Sequence, residues 1–247
     1  MATIKCKNTT FSNIQAILFD KNGTLEDSEV YLRNFAQKTA RIIDAKIPGT
    51  GEPLLMAFGV NGDSLDAAGL MAVASRRETE IAAAAYIAET GRSWIESLQI
   101  ARESLDEADK YLGNSPSPLF AGSDKVLQKL SQAGLRLGIL SAATTEEVNK
   151  FVAVHQLRDY INLEMGVDGS IFKPQPALFL QACEKLGVEA RATLMVGDSV
   201  GDMQMAHNAK AAGCIGITWI AKSDNVRGAD VVINQLDEIQ ILESRSI

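Results

Sequence analysis

The chain is poor in histidine and cysteine: among 247 residues it has His155 and His207, and Cys6, Cys183 and Cys214 far apart. An odd, scattered set of cysteines gives no disulfide framework and suits a reducing compartment. Neither histidine has a Cys or His at zinc-ligand spacing, which argues against a zinc site. Positive charge is in deficit as well, with 24 Lys and Arg against 31 Asp and Glu and a net charge of −7. That balance argues against a nucleic-acid-binding face and against attraction to an anionic membrane. No apolar run reaches the length of a membrane span, and the first thirteen residues lack the apolar core of a secretory signal. A cytoplasmic protein is expected. Apolar residues make up 46% of the chain, enough for one large core or a core with an insertion.

The stretch Ile17-Leu-Phe19 is an apolar run of the length of a buried strand, and it ends abruptly on Asp20. Asn22-Gly23 turns the chain at once. In an open parallel sheet, ligands bind in the crevice beyond the carboxyl ends of the strands, which is where Asp20 falls.

Residues 1–13 read as a polar lead-in before a strand at about 15–19. From 26 to 118 apolar residues recur at helical spacing: Val30, Phe35, Thr39, Ile42 and Ile43 first, and later Trp94, Leu98, Ala101, Leu105 and Ala108. Loops fall at 47–53 and 59–63, no strand is expected in this part, and 113–118 reads as a linker. From 119 onward strands alternate with helices, the pattern of a parallel α/β sheet. Strands are expected at about 135–140, 161–165, 193–196, 214–218 and 231–233, followed by a C-terminal helix. The first strand has no other partner, so it joins this sheet. The organisation expected is an α/β, Rossmann-like core of residues 1–25 and 119–247, split by a helical domain of residues 26–118.

Asp20, Ser141 and Asp198 each follow a strand, and Lys173 lies in a loop that opens a helix. Asp202 is four residues beyond Asp198, on the same face if the helix has begun. Two or three carboxylates in one crevice repel each other unless a cation holds them, and oxygen-only ligands point to a hard ion such as Mg²⁺. With a Lys, a hydroxyl and free backbone N–H groups beside it, such a crevice suits a phosphate, open to in-line attack by a carboxylate. Singly, Lys173 is an ordinary surface charge, Ser141 an N-cap and Asp198 a turn residue. Together they form a pattern.

Phe19-Asp-Lys-Asn-Gly-Thr-Leu25, Ile139-Leu-Ser141, Lys173-Pro174 and Val196-Gly-Asp-Ser-Val-Gly-Asp202 carry a resemblance to haloacid dehalogenase superfamily phosphatases. The branch is the one with a helical cap inserted after the first strand, and the texture is that of phosphoglycolate phosphatase-like enzymes. The resemblance implies Asp20 as nucleophile and Mg²⁺ ligand, with Asn22, Asp198 and Asp202 around the metal. It places Ser141, Ala142, Lys173, Gly23 and Thr24 around the phosphoryl group of a small phosphorylated metabolite. Asp202 is implied as a metal-shell carboxylate or one that orients Lys173. Cap motion about the two linkers is implied for solvent exclusion.

The chain departs from the pattern at Asn22, where the family's phosphatases carry the Asp that protonates the leaving oxygen and then activates water. An amide does neither, although its backbone carbonyl still ligates a metal. Asn22-Gly23 is also a deamidation-prone dipeptide. Gln175 replaces a usual Asp, Phe172 a small polar residue, and Ala142 a frequent donor. The leading expectation is a Mg²⁺-dependent phosphatase slowed by Asn22; the alternative is an impaired relative that binds Mg²⁺ and a phosphorylated ligand in a regulatory role. Asn22 argues against a mutase, and the Asp198/Asp202 pair against a dehalogenase. Arg33, Arg41, Arg76, Arg77, Arg92 and the 59–63 loop are candidates for specificity, and nothing in the sequence sets an oligomeric state.

Overall fold

The computed structural model describes residues 1–113, 117–219 and 223–242. The chain divides into two compact units, Met1–Asp27 with Pro118–Ile247, and Ser28–Ser117.

The first unit opens with a hairpin, β1 (Ala2–Cys6) and β2 (Thr9–Ile14), then β3 (Ala16–Phe19). The polar lead-in expected over 1–13 is therefore corrected to two strands. Ile4, Cys6, Phe11 and Ile14 are buried, and the polar residues between them face outward or to the rim.

The second unit is helical: α1 (Glu29–Lys46), α2 (Gly51–Phe58), the short pair β4 (Val60–Asn61) and β5 (Ser64–Leu65), α3 (Leu70–Val73), α4 (Arg76–Glu89) and α5 (Trp94–Leu112). The loop expected at 59–63 is thus the turn of a small hairpin, a strand pair where none was expected. Phe35, Ile43, Leu54, Phe58, Ile87 and Leu105 form a core of its own. Val30 and Trp94, expected on apolar faces, are exposed at the first turns of their helices. The helices start on capping serines at Ser75 and Ser93, whose hydroxyls accept from the N–H three residues on. Residues 114–116 of the expected linker lie outside the described residues.

The first unit resumes with α6 (Ser123–Gln132), β6 (Arg136–Leu140), α7 (Thr145–Val154), β7 (Leu163–Met165), α8 (Pro176–Leu186), β8 (Thr193–Gly197), α9 (Val200–Asn208), β9 (Gly213–Ile217), β10 (Val231–Ile233) and β11 (Ile239–Leu242). Six strands form a parallel sheet in the order β10-β9-β8-β3-β6-β7, with β3 in the middle, paired to β6 and β8. Alternation sorts its side chains: Ile17, Phe19, Leu137, Ile139, Leu194 and Val196 pack with α6 and α7. Ala16, Leu18, Leu140 and Met195 pack with α8 and α9 on the other face. Burial on both faces explains why these strands read as continuous apolar runs.

The C-terminal helix expected after residue 233 is corrected. A single 3-10 turn at Leu236–Glu238 leads into β11, which pairs antiparallel with β1 and completes a three-stranded sheet β11-β1-β2. Strand β1 offers a row of unpaired backbone groups on that side, and pairing satisfies them in a way a helix could not.

Candidate active site

Strand β3 ends at Phe19, and Asp20 continues it far enough for its N–H to donate to the Val196 carbonyl at 2.9 Å. The N–H groups of Leu25 and Glu26 both donate to the Lys21 carbonyl at 2.9 Å, folding residues 21–26 into a tight turn. Strand β8 ends at Gly197, and Asp198 stands in the gap before α9, two residues ahead of Val200. Asp202 lies within that helix, at its third residue. Its side chain and that of Ser199 cap the helix reciprocally, so the helix N-terminus itself locates Asp202. Lys173 arrives from the loop before α8, whose first residue is Pro176.

These residues meet. Lys173 Nζ lies 2.6 Å from Asp20 Oδ1 and 2.7 Å from Asp202 Oδ1. Asp202 Oδ2 accepts from the Ser199 hydroxyl at 2.6 Å, so both of its oxygens are engaged. Asp20, Asp198 and Asp202 each bring a carboxylate oxygen within 4.8 Å of the others. The Thr24 hydroxyl donates to Asp198 Oδ1 at 3.3 Å.

Two glycines make this approach possible. A Cβ on Gly23, which has φ +72°, would stand 2.1 Å from Asp198 Oδ2, and a Cβ on Gly197 would stand 2.4 Å from Asp202 Oδ2. Gly23 therefore serves as a wall of the carboxylate cluster, besides making the turn.

Burial pushes the Asp20 carboxyl above the usual range; Lys173 opposes that shift and Asp202 adds to it. Asp198 is pushed well above by burial and by the charges of Asp20 and Asp202, with Lys173 too weak to offset them. Burial disfavours the Lys173 ammonium, yet the two carboxylates outweigh it and hold its pKa above the lysine value. Two buried carboxylates and a partly buried third crowd more negative charge around one ammonium than it can balance. The donors of this cluster are all oxygen, a set that fits a hard divalent cation.

Ser141 and Ala142 follow β6, next to β3 on the same sheet edge. Ser141 is buried, its N–H donates to the Met165 carbonyl at 3.1 Å, and its hydroxyl accepts from the Ala143 N–H at 3.2 Å. No hydrogen bond or ion pair joins Ser141 or Ala142 to the carboxylate cluster among the described residues.

Lys21 and Glu26 escape a sequence reading. Lys21 Nζ sits 2.6 Å from Glu26 Oε2 and 2.5 Å from Asn22 Oδ1, buried beneath the turn and 5.6 Å from the Phe151 ring centre. Lysine only donates, so the Asn22 carboxamide is fixed with its oxygen toward Lys21. The available signal was a lysine between the strand-end Asp and the turn, with a Glu five residues on. Trp219 is a third such residue: it donates to the Thr24 carbonyl at 3.0 Å and stacks on Phe120 at 4.5 Å. The Gly23 N–H, which would have to attack the Asn22 side chain in deamidation, donates to the Glu26 carbonyl at 2.9 Å. The fold thus guards the dipeptide that sequence alone marks as labile.

In the helical unit, Arg76 pairs with Asp106 and Asp109 at 2.7 and 2.6 Å, Arg77 with Glu80, Arg92 with Glu96, and Arg33 with Glu29. These four specificity candidates have partners inside their own unit.

The sequence that builds this sheet, with its Asp, Lys and two further Asp residues, also matches a family model. The model, haloacid dehalogenase-like hydrolase, aligns with residues 14–210, and the chain belongs to that family. Its relatives include the phosphoglycolate phosphatase of Yersinia pseudotuberculosis, 30% identical over 215 residues, covering 85% of this chain and 83% of that protein. The phosphoglycolate phosphatase of Pectobacterium atrosepticum is 28% identical over 232 residues, 92% of this chain and 91% of that one. Among solved structures, a predicted phosphoglycolate phosphatase from Haemophilus somnus superposes with a TM-score of 0.70 at 19% identity, covering 91% and 96% of the two chains. That likeness speaks for the fold. The chain is thus a hydrolase of phosphoglycolate phosphatase-like sequence.

Proposed function

We propose that this hydrolase cleaves a small phosphomonoester through an aspartyl-phosphate on Asp20, with Mg²⁺ as its ion and with turnover slowed by Asn22. The observation that carries the proposal is Lys173 Nζ bridging Asp20 and Asp202 at 2.6 and 2.7 Å, inside a cluster that also holds Asp198. Asp20, Asp198 and the Asn22 backbone carbonyl are the residues to hold the ion, which when bound supplies positive charge against the phosphoryl oxygens. Asp202, with both oxygens engaged, acts on Lys173 by positioning it.

A carboxylate oxygen of Asp20 attacks phosphorus, and the bond from phosphorus to the ester oxygen breaks. The departing alkoxide takes its proton from water, since the Asn22 amide has none to give. Water then attacks the phosphorus of the acyl phosphate, releasing phosphate and restoring Asp20. Lys173 balances charge around Asp20 throughout, and the Ser141 hydroxyl with the Ala142 N–H lines the phosphoryl group. Substrate choice falls to the helical unit, which we assign as the cap.

The test is phosphate release from a panel of small phosphomonoesters, phosphoglycolate included, with Mg²⁺ supplied or removed by chelation. Asn22→Asp should raise the rate by about 10²–10⁴. Asp20→Ala should abolish it, and chelation should silence every form until Mg²⁺ is returned. If Asn22→Asp is as silent as Asp20→Ala on every substrate, the enzyme reading fails. A second reading, a regulatory protein that only binds a phosphorylated ligand, is favoured by one observation: Lys21 fixes the Asn22 carboxamide oxygen at 2.5 Å. It predicts saturable, Mg²⁺-dependent binding of phosphoglycolate, seen by calorimetry, with no turnover in the unaltered protein.

A further inference from the structure

A second cluster of ligating side chains lies away from the carboxylates, toward the amino end of β9. Cys214 is the second residue of that strand, His207 sits in the last turn of α9, and Gly228 and Asp230 belong to the segment leading into β10. Cys214 Sγ is 3.3 Å from His207 Nε2 and 3.5 Å from the Gly228 carbonyl oxygen. His207 Nε2 is 2.6 Å from the same carbonyl, and a His207 ring nitrogen, Cys214 Sγ and an Asp230 carboxylate oxygen lie within 4.8 Å of one another. From these positions we propose that His207, Cys214, Asp230 and the Gly228 carbonyl form a binding site for a thiophilic divalent ion of the Zn²⁺ class, independent of the hydrolytic site.

The distances suit such an ion. A tetrahedral Zn²⁺ about 2.3 Å from sulfur and about 2.0 Å from nitrogen holds the two ligands about 3.5 Å apart. The Cys214–His207 separation of 3.3 Å is already close to that. The His207–Gly228 pair must open slightly as its hydrogen bond gives way to ligation. One thiolate, one imidazole and two oxygens select against Mg²⁺, which prefers oxygen throughout. Asp230 is already oriented, because its Oδ2 accepts the Cys214 N–H at 2.7 Å, and ligands steered by such backbone bonds hold a metal better. The sulfur is buried while His207 and Asp230 are exposed, so an ion can enter from solvent and seat against the thiol. Cys214 gives up its thiol proton to solvent on binding, and His207 shifts its proton to Nδ1 to free the Nε2 lone pair. The ligands come from three separate elements, so no zinc-like spacing exists along the chain.

Co²⁺ is the probe, added to metal-stripped protein with Mg²⁺ in excess to occupy the carboxylates. The expected result is one Co²⁺ per chain, a thiolate-to-cobalt charge-transfer band in the near ultraviolet, and loss of that band when Zn²⁺ is added. Cys214→Ala should abolish the band, the surface variant His207→Ala should weaken Co²⁺ binding by about tenfold or more, and Asp20→Asn should leave both unchanged. Absence of the band at millimolar Co²⁺ overturns the site. So does a band that survives in Cys214→Ala, or one indifferent to His207→Ala, which folds whether or not the buried cysteine tolerates change.

Discussion

A single methyl group tests how tightly the carboxylate cluster is built. Gly197→Ala would push its Cβ against Asp202 Oδ2 and so pull Asp202 from Lys173. In the Asn22→Asp background it should cost at least about tenfold in rate, read as phosphate release. Gly23→Ala adds a left-handed conformation, at about 1–2 kcal/mol, to a clash with Asp198, and should raise the Mg²⁺ concentration needed for half-maximal phosphate release. Lys21 and Glu26 make a different test, since each side chain keeps only 10% of its surface exposed. Lys21→Met leaves Glu26 buried without a partner and should destabilise by about 3–5 kcal/mol in urea unfolding. Lys21→Met with Glu26→Leu should recover most of that loss, because a buried ion pair is often no better than an apolar one. Asp20, Lys173, Asp198 and Asp202 were legible because they interrupt apolar runs or flank them. Lys21 and Glu26 were not, because a charged residue just past a strand looks like surface until the turn folds over it.

Among the elements, α9 does two jobs at its start. The hydroxyl of Ser199 caps the helix and also fixes Asp202 at 2.6 Å. Ser199→Ala should lower stability by about 1 kcal/mol, measured by denaturant midpoint. It should also lower the rate of Asn22→Asp, an effect a merely structural cap would not have. The three-stranded sheet β11-β1-β2 is buried through Ile4, Cys6, Phe11 and Ile14, and Ile4→Ala should cost about 2–5 kcal/mol. The six parallel strands were readable because burial on both faces makes their sequences continuously apolar. Strands β1 and β2 were not, since alternate outward positions dilute four buried residues among thirteen. Strand β11 was misread because its partner lies at the opposite end of the sequence, and no local pattern reports a pairing that distant.

At the scale of the molecule, the two units hold separate cores. Within residues 28–117, Phe35, Ile43, Leu54, Phe58, Ile87 and Leu105 gather into one core. Expressed alone, that segment should fold as a helical unit with its own cooperative thermal transition in circular dichroism; a featureless melt would show that it depends on the rest of the chain. The pairing of β1 with β11 puts Thr3 and Leu242 opposite each other as rungs of one ladder, where neighbouring strands are about 4.8 Å apart. Two stretches more than two hundred residues apart in the chain are thus neighbours in the fold. That ladder makes residues 2–6 and 239–242 a single cooperative patch, so loosening either stretch should expose the backbone amides of both, read as joint loss of hydrogen-exchange protection.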